Sequence, residues 1–244
     1  MKFSIIIPTL NEEKFIQSCL LALQTLRNEC EIIIVDGDSI DNTRISAAPL
    51  ADKVIISAKG RSKQMNNGAK YATGDVLIFL HADTRLPDNA LQLIQQNIKD
   101  TSQWGRFDIQ LSGDPFMLKV IAQMMNWRSR LTGIATGDQV IFVTRLTFEE
   151  AGQYPEINLM EDIALCKALN KISPPICLKD KVISSSRRWG HNGIYKTILL
   201  MWSIRLRYFF GADPQTLAFL YTRGAFTQFK FSDLWRRIYP PMSG

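Results

Sequence analysis

The sequence predicts an α/β fold in which a mostly parallel sheet is flanked by helices, and three observations lead to it. Short apolar runs typical of strands buried on both faces occur at Phe3–Ile7, Ile32–Val35 and Val76–Leu80. Segments with apolar residues at helical spacing separate these runs, and strands alternating with helices imply parallel βαβ crossovers. Each run is followed at once by polar residues, which places hydrogen-bonding groups at the strand ends.

The remaining elements follow from local signals. Asn11 is expected to cap the first helix, whose early Glu12 and Glu13 suit the positive end of the helix dipole. Past residue 100 the pattern is less regular. Further strands are predicted at Val54–Ser57, Gln139–Val143 and Val182–Ser184, and further helices at Arg61–Ala72, Phe116–Arg130, Glu161–Leu169, Ile194–Phe210 and Ala212–Tyr221.

Composition and charge limit the domain organisation and the partners. A length of 244 residues with 46% hydrophobic residues is enough for one large domain. Composition shifts near residue 190, so we predict a domain over 1–190 and a C-terminal helical extension over 191–244, for which membrane association is one interpretation. The net charge of +6 suits phosphate-bearing ligands or an anionic membrane surface, and a solvated basic face explains it equally well. Nucleic-acid binding is not expected, since this charge is modest and no basic-aromatic module is present.

The cysteines and the hydropathy pattern indicate a reduced, cytoplasmic chain. The cysteines at 19, 30, 166 and 177 have no metal-type spacing such as C-x-x-C. The apolar run at the N-terminus is too short for a signal peptide. No charge-free stretch of about 18 residues occurs, so no transmembrane helix is predicted.

Two acids, Asp36 and Asp83, lie at the carboxyl ends of predicted strands. The carboxyl ends of parallel strands share one edge of a sheet, where open α/β sheets bind ligands. Together with the polar residues of Pro8–Glu12 they form an acidic rim, which suits a nucleotide diphosphate held through Mg²⁺ or Mn²⁺. No G-x-G-x-x-G follows the first strand and no G-x-x-x-x-G-K-[ST] occurs, which argues against a dinucleotide-binding domain and a P-loop.

These segments resemble the family 2 glycosyltransferases, which have a GT-A nucleotide-sugar-binding fold and transfer a sugar from a nucleotide-sugar donor. The resemblance covers residues 1–90 and is weaker beyond them. Within the family the chain is most similar to a small bacterial and cyanobacterial branch that carries the stretch found here at Gly60–Gly68. The segments that carry the resemblance are Pro8–Glu12, Val35–Thr43, Gly74–Asp75 and Phe79–Asp83.

The resemblance implies roles for the strand-end residues. Asp36 would accept a hydrogen bond from the base, with a uracil-type N–H as the expected donor, and Arg61 would lie near the sugar donor. Asp83 would be the metal-binding last acid of a D-x-D element. His81 replaces the first acid of that element, and because imidazole binds Mn²⁺ better than Mg²⁺, the replacement favours Mn²⁺. The residues assigned to the nucleotide pocket are Pro8, Thr9, Asn11 and Glu12.

The resemblance also places the catalytic base at a later Glu-Asp pair. Asp162 is the first candidate and Glu161 the second; the alternative is that both acids only stabilise the helix N-terminus. Arg188 and Trp189 suit a diphosphate and a sugar or base, or else form a basic surface turn with a packed indole. Asp138 is either an acceptor-binding acid or part of a turn.

The segment Ile194–Phe210 combines apolar and aromatic residues with cationic ones. This pattern is typical of an interfacial helix, and a core helix with snorkelling arginines explains it as well. The first interpretation predicts peripheral contact with the inner face of the membrane, and a hydrophobic or lipid-linked acceptor would fit it.

We therefore expect an inverting, metal-dependent, hexosyltransferase-like enzyme that moves a sugar from a nucleotide-sugar donor, with UDP preferred, to a hydroxyl or carboxyl acceptor. A nucleotidyltransferase is the alternative among enzymes, although Pro8–Glu12 lacks the Gly-rich basic loop expected of one. A non-catalytic, membrane-associated scaffold that binds nucleotide sugars is the alternative from another class.

Overall fold

The computed structural model describes residues 1–187, 189 and 193–223, and the chain forms two compact units, Met1–Arg187 and Arg188–Gly244. In the first unit the strands are β1 (Phe3–Thr9), β2 (Cys30–Asp36), β3 (Lys53–Ile56), β4 (Val76–Phe79), β5 (Thr84–Arg85), β6 (Trp104–Leu111), β7 (Ile141–Thr144) and β8 (Ile176–Ser184). The helices are α1 (Glu13–Leu23), α2 (Thr43–Ala47), α3 (Arg61–Tyr71), α4 (Ala90–Asn97), α5 (Phe116–Thr132), α6 (Arg145–Glu150) and α7 (Glu161–Leu169). Short 3-10 turns occur at Gln24–Leu26, Ala48–Leu50 and Gly137–Gln139.

The strands form one sheet in the order β3-β2-β1-β4-β7-β6-β8-β5. The first four in this order are parallel, as predicted from the alternation of strands and helices. Strand β7 runs antiparallel to both neighbours, and β8 is parallel to β6 but antiparallel to β5. The predicted α/β architecture is confirmed, and its second half is mixed in direction.

Several predicted elements differ from the observed ones in their bounds. The strand expected from Gln139 begins at Ile141, because Gly137–Gln139 is a 3-10 turn. The weak strand expected at Val182–Ser184 is the end of the longer β8, and β6 was not predicted. Asn11 does not cap α1: it adopts φ 55°, and its side-chain oxygen accepts a hydrogen bond from the amide of Ile40 at 3.0 Å.

The core that supports the strand ends lies between the sheet and helices α3 and α7. Side chains from β1, β2 and β4 pack there against Met65, Leu165 and Leu169. The cysteines are free thiols, and Cys19 and Cys166 are buried in this unit as small apolar groups, as expected.

Gly68 allows α3 to lie close to the sheet. A Cβ at this position would be 2.4 Å from Cγ2 of Ile6 and 2.8 Å from Cγ2 of Val35. We expect Gly68→Ala to lower the free energy of unfolding, because overpacking costs about 1–3 kcal/mol while the better helix propensity of alanine offsets about 1 kcal/mol. Urea unfolding measures the change. The exposed Lys70→Ala on the same helix is the control, and an unchanged or raised midpoint for Gly68→Ala would contradict the close packing.

The second unit contains helices α8 (Ile194–Phe209) and α9 (Pro214–Arg223) in its described part. Helix α8 buries Thr197, Leu200 and Ile204. Within residues 1–187, 189 and 193–223, no helix has both the length and the apolar character that spanning a bilayer requires.

Candidate active site

A pocket of about 680 Å³ opens at the carboxyl ends of β1, β2 and β3. Its volume is in the range of small-molecule sites, and its position is the ligand-binding edge expected for an α/β sheet. Asn11 belongs to its wall, and the assignment of Asn11 to a nucleotide pocket stays a prediction. Lys59 and the other lining residues after β3 were not among the predicted residues, since no motif marks them. The lining residues are Leu10, Asn11, Gly37, Asp38, Ile40, Ile56, Ser57, Ala58 and Lys59.

Asp36 holds the ends of β1 and β2 together beside this pocket. Its carboxylate is fully buried and accepts hydrogen bonds from the Thr9 hydroxyl (3.2 Å), the Ser39 hydroxyl (2.6 Å) and the Ser39 amide (2.8 Å). Ser39 in turn accepts a hydrogen bond from the Asn11 amide at 2.9 Å. Pro8 lies opposite Val35 in the parallel register. The predicted contact between Asp36 and a base therefore remains a prediction, and the observed role of Asp36 is to order the loop that lines the pocket.

A second part of the site is a cation between two acids. The Arg187 guanidinium lies 3.3 Å from Glu12 Oε2 and 3.1 Å from Asp83 Oδ2, and it stacks 3.9 Å from the centre of the Phe15 ring. Partial burial lowers the pKa of Arg187, but the hydrogen bonds and charges of Glu12 and Asp83 outweigh it and raise that pKa. The two predicted acids thus lie within reach of one positive group.

The pairing of β5 with β8 explains why Arg187 reaches these acids. Thr84 pairs with Ser184, and the Ser185 amide donates to the Asp83 carbonyl at 3.1 Å, so the chain after β8 runs beside Asp83. Sequence reasoning chose Arg188 and Trp189 from the same run. Arg188 lies outside the described residues, and Trp189 is half-buried in the second unit.

A third part of the site links His81 to Asp162. The His81 Nδ1 atom is 3.2 Å from Asp138 Oδ1. The imidazole also occupies the space that a side chain at Gly137 would need, because its Nε2 atom would lie 2.4 Å from an ideal Cβ at that position. The Gly137 amide donates to Asp162 Oδ2 at 3.0 Å. The turn at residues 137–139 therefore connects the histidine of the D-x-D position to the predicted base.

Asp162 and Glu161 begin helix α7, as predicted, and their environment alters their chemistry. Burial and the charge of Glu161 raise the pKa of Asp162 to about 6. The amide hydrogen bonds from Gly137 and Ile163 and the charge of Arg61 lower this pKa, but their effect is smaller. Glu161 is buried and lies 3.6 Å from the Arg61 guanidinium. A carboxylate with this pKa takes up a proton near neutral pH, which suits a general base.

The metal site predicted at Asp83 is not formed by the described protein side chains alone. Among the described residues no group of three or more His, Cys, Asp or Glu side chains could enclose a metal ion. Mg²⁺ commonly uses one or two carboxylates together with substrate phosphates and water, so a complete protein cage is not required. Asp83 and Glu12 already attract one positive group, Arg187, which shows that this place suits positive charge.

Comparison with known proteins identifies the family. The profile described as "Glycosyl transferase family 2" matches residues 4–144. The "PGL/p-HBAD biosynthesis glycosyltransferase" of Mycobacterium bovis (strain BCG / Pasteur 1173P2) is 42% identical over 93 residues, which are 34% of this chain and 36% of that relative. The matched region thus spans about a third of the length of these mycobacterial relatives.

One curated relative and one solved structure match over a larger share of the chain. The "UDP-Glc:alpha-D-GlcNAc-diphosphoundecaprenol beta-1,3-glucosyltransferase WfgD" of Escherichia coli is 26% identical over 216 residues, covering 82% of this chain and 84% of the relative. The mannosyltransferase PcManGT from Pyrobaculum calidifontis, solved with GDP-Man and Mn²⁺, has a TM-score of 0.60 at 18% identity and covers 98% of this chain and 81% of its own. The fold is the GT-A fold, as expected, and the chain belongs to glycosyl transferase family 2.

Proposed function

We propose that the protein is an inverting glycosyltransferase that moves a sugar from a nucleotide-sugar donor to an acceptor hydroxyl or carboxyl. The observation that carries the proposal is the convergence of three groups at one sheet edge. These groups are the nucleoside-sized pocket after β1–β3, the pair Glu12 and Asp83 bridged by Arg187, and the acid Asp162 held by the turn next to His81.

The donor is proposed to bind with its nucleoside in the pocket and its diphosphate toward Asp83. Asn11, Asp38 and Lys59 line the pocket, and the exposed Lys59 ammonium adds positive charge for a phosphate. UDP is the proposed nucleotide, as in the name of the Escherichia coli relative, and GDP is the alternative, as in the Pyrobaculum calidifontis complex.

Asp83 is the proposed metal ligand, with Glu12 beside it. When bound, Mn²⁺ or Mg²⁺ supplies positive charge that stabilises the leaving diphosphate. Arg187 lies within 3.1 Å of Asp83, so its guanidinium can turn from the carboxylates to the diphosphate oxygens, which match its planar geometry. The His81 imidazole, two residues before Asp83 in the chain, is paired with Asp138 at 3.2 Å.

Asp162 is the proposed base. An inverting transfer needs a carboxylate that takes the proton from the acceptor as it attacks the anomeric carbon. The hydrogen bond from Gly137 orients this carboxylate, and Glu161, paired with Arg61, raises its proton affinity.

Binding and hydrolysis of nucleotide sugars test the proposal. The protein is incubated with UDP- and GDP-sugars in the presence of Mn²⁺, and binding and slow donor hydrolysis are measured. We expect saturable binding of at least one donor and release of its sugar. Absence of binding to every donor with metal present would remove the proposed activity, and binding without turnover would favour the non-catalytic scaffold.

The pH dependence should report Asp162. A base must be deprotonated to act, so we expect kcat/KM for donor hydrolysis or transfer to rise as pH increases through about 6 and to level off above it. Glu161→Gln removes the neighbouring negative charge that raises the Asp162 pKa, so it should move this rise to lower pH. A pH profile that does not respond to Glu161→Gln would argue against Asp162 as the titrating group.

Helix α8 carries an exposed apolar stripe that supports membrane contact. Five large side chains recur at alternating spacings of four and three residues on its exposed face, and Lys196, Arg205 and Arg207 accompany them. An apolar stripe with basic neighbours is typical of a helix lying in a membrane interface. We propose peripheral binding at the cytoplasmic face of the membrane, with a lipid-linked acceptor such as the one named for the Escherichia coli relative. The stripe consists of Tyr195, Leu199, Trp202, Leu206 and Phe209.

Removing two side chains of this stripe should weaken membrane binding. Burial of a Trp or Leu side chain contributes about 1.5–3 kcal/mol, so the double variant Trp202→Ser, Leu206→Ser should bind anionic vesicles at least about tenfold more weakly. Co-sedimentation with phosphatidylglycerol vesicles measures the change. Leu21→Ser, which removes an exposed apolar residue of α1, serves as the control. Equal sedimentation of the double variant and the wild type would contradict the proposal.

A further inference from the structure

Helix α5 carries the guanidinium of Arg128, and two of its three nitrogen atoms have no partner in the described structure. The Nε and Nη2 atoms of Arg128 are buried and have no hydrogen-bond partner among the described residues. Buried polar groups are nearly always paired, and an unpaired charged group is the most costly exception. An orphaned guanidinium therefore needs an explanation outside the packing of the chain itself.

Arg128 lies in the electrostatic range of the proposed base. Burial lowers the pKa of Arg128, the charge of Asp162 raises it, and the like charge of Arg106 lowers it, with a lowered pKa as the result. The guanidinium therefore interacts with the charge of Asp162, and none of the roles proposed above uses it.

The turn of α5 that carries Arg128 is fixed by a buried polar network. Asn126 exchanges hydrogen bonds with the backbone of Ile109 in β6, at 2.8 Å to the amide and 3.0 Å to the carbonyl. Gln139 Nε2 donates to Ser129 Oγ at 3.0 Å, which ties the same turn to the segment that positions Asp162. The helical turn that carries Arg128 is therefore fixed before any ligand arrives.

Two further guanidinium groups, those of Arg106 and Arg130, belong to the same part of the fold. Arg106 and Arg130 share the single carboxylate of Asp108, with Arg130 Nη2 at 2.7 Å from it and Arg106 Nη1 hydrogen-bonded to it. Arg106 is almost fully buried, and its Nε atom is also without a partner in the described structure. Arg106 and Arg128 thus both keep buried N–H donors that have no partner in the described part of the chain, and a bound anion would supply acceptors for such donors.

We propose that Arg128 binds an oxyanion group of the acceptor, a carboxylate or a phosphate, next to Asp162. A guanidinium presents paired N–H donors that match these groups in a bidentate geometry. This inference rests on the proposed function, and it adds that Arg128 recognises an anionic group of the acceptor. Neutral alcohols of the same shape are then poor acceptors.

A merely electrostatic role for Arg128 makes a different prediction. If Arg128 only kept Asp162 ionised, its removal would raise the pH at which kcat/KM rises and would affect anionic and neutral acceptors alike. If it binds the acceptor anion, its removal abolishes the preference for anionic acceptors.

Direct binding of small anions tests the site without sugar transfer. In protein labelled with ¹⁵N-arginine, the side-chain Nε–H resonances are followed while sodium acetate or inorganic phosphate is added, with Arg128→Lys and Arg128→Gln assigning the signal. We expect a saturable shift of the Arg128 resonance with one or both anions. A stronger response to acetate would identify a carboxylate as the bound group, and a stronger response to phosphate would identify a phosphate. An Arg128 resonance that responds to neither anion would overturn the inference.

Acceptor preference supplies the second test. Donor consumption is compared with glycerol, glycerate and glycerol 3-phosphate as acceptors. The wild type should prefer an anionic member by at least about tenfold, the size expected for hydrogen bonds to a charged group, and Arg128→Gln should remove that preference. Lys119→Gln, which removes an exposed positive charge from the same helix, should retain it. If Arg128→Gln retained the preference for anionic acceptors, the acceptor assignment would be overturned.

The two tests also separate this inference from the proposed function. If no nucleotide sugar binds while the Arg128 resonance still shifts with an added anion, the proposed function is rejected and the anion site is retained.

Discussion

Asp162→Asn is expected to lower kcat for sugar transfer by about 10²–10⁴, the contribution typical of a general base, while donor affinity stays within a few-fold. Asparagine has nearly the same size as aspartate. Its side-chain oxygen can still accept the hydrogen bond from the Gly137 amide, which is 3.0 Å long with Asp162. It cannot take up the acceptor proton. Steady-state kinetics of transfer, combined with calorimetric titration of the donor, separate the two effects.

Glu161→Gln is the matched control for this prediction. It removes the adjacent acid of the same helix start and leaves Asp162 able to accept a proton, so it should retain most of the turnover above the pH rise. Parallel loss of donor binding and turnover in Asp162→Asn would show that Asp162 holds the site together and is not its base.

Asp83→Asn is expected to abolish the increase in donor affinity that Mn²⁺ produces. A metal ion contributes several kcal/mol of charge stabilisation at a transferring phosphate, so loss of its protein ligand should cost at least about 10² in kcat/KM. Asparagine still accepts a hydrogen bond from Arg187, which lies 3.1 Å from Asp83 Oδ2, so the local structure should persist. Titration of UDP with and without Mn²⁺, for wild type and variant, measures the effect.

Asp88→Asn is the control for metal binding, because it removes an exposed acid from the same segment after β4. Its donor affinity should depend on Mn²⁺ as in the wild type. A variant at Asp83 that keeps the full response to Mn²⁺ would contradict the assignment of this carboxylate as the metal ligand.

The early strands and their polar ends were predictable because their signals are local. The runs that became β1, β2 and β4 are continuous and apolar, and each is followed by residues that cannot continue a buried strand. Helix α7 begins at Glu161 as predicted, since two acids suit a helix N-terminus. Strand β6 was missed because Arg106 and Asp108 interrupt its apolar pattern, and these two residues are paired with Asn126 and Arg130 of α5, which lie about 20 residues further along the chain.

The sequence by itself determined the family, the α/β class and the acids at the strand ends, because each depends on residues that are neighbours along the chain. Only the tertiary structure decided which cation meets Asp83 and which turn meets Asp162. Arg187 reaches Asp83 because β5 pairs with β8, and Gly137 reaches Asp162 because the turn before β7 lies against the start of α7. Such long-range pairings arise from the packing of the whole sheet, and no local pattern of residues encodes them.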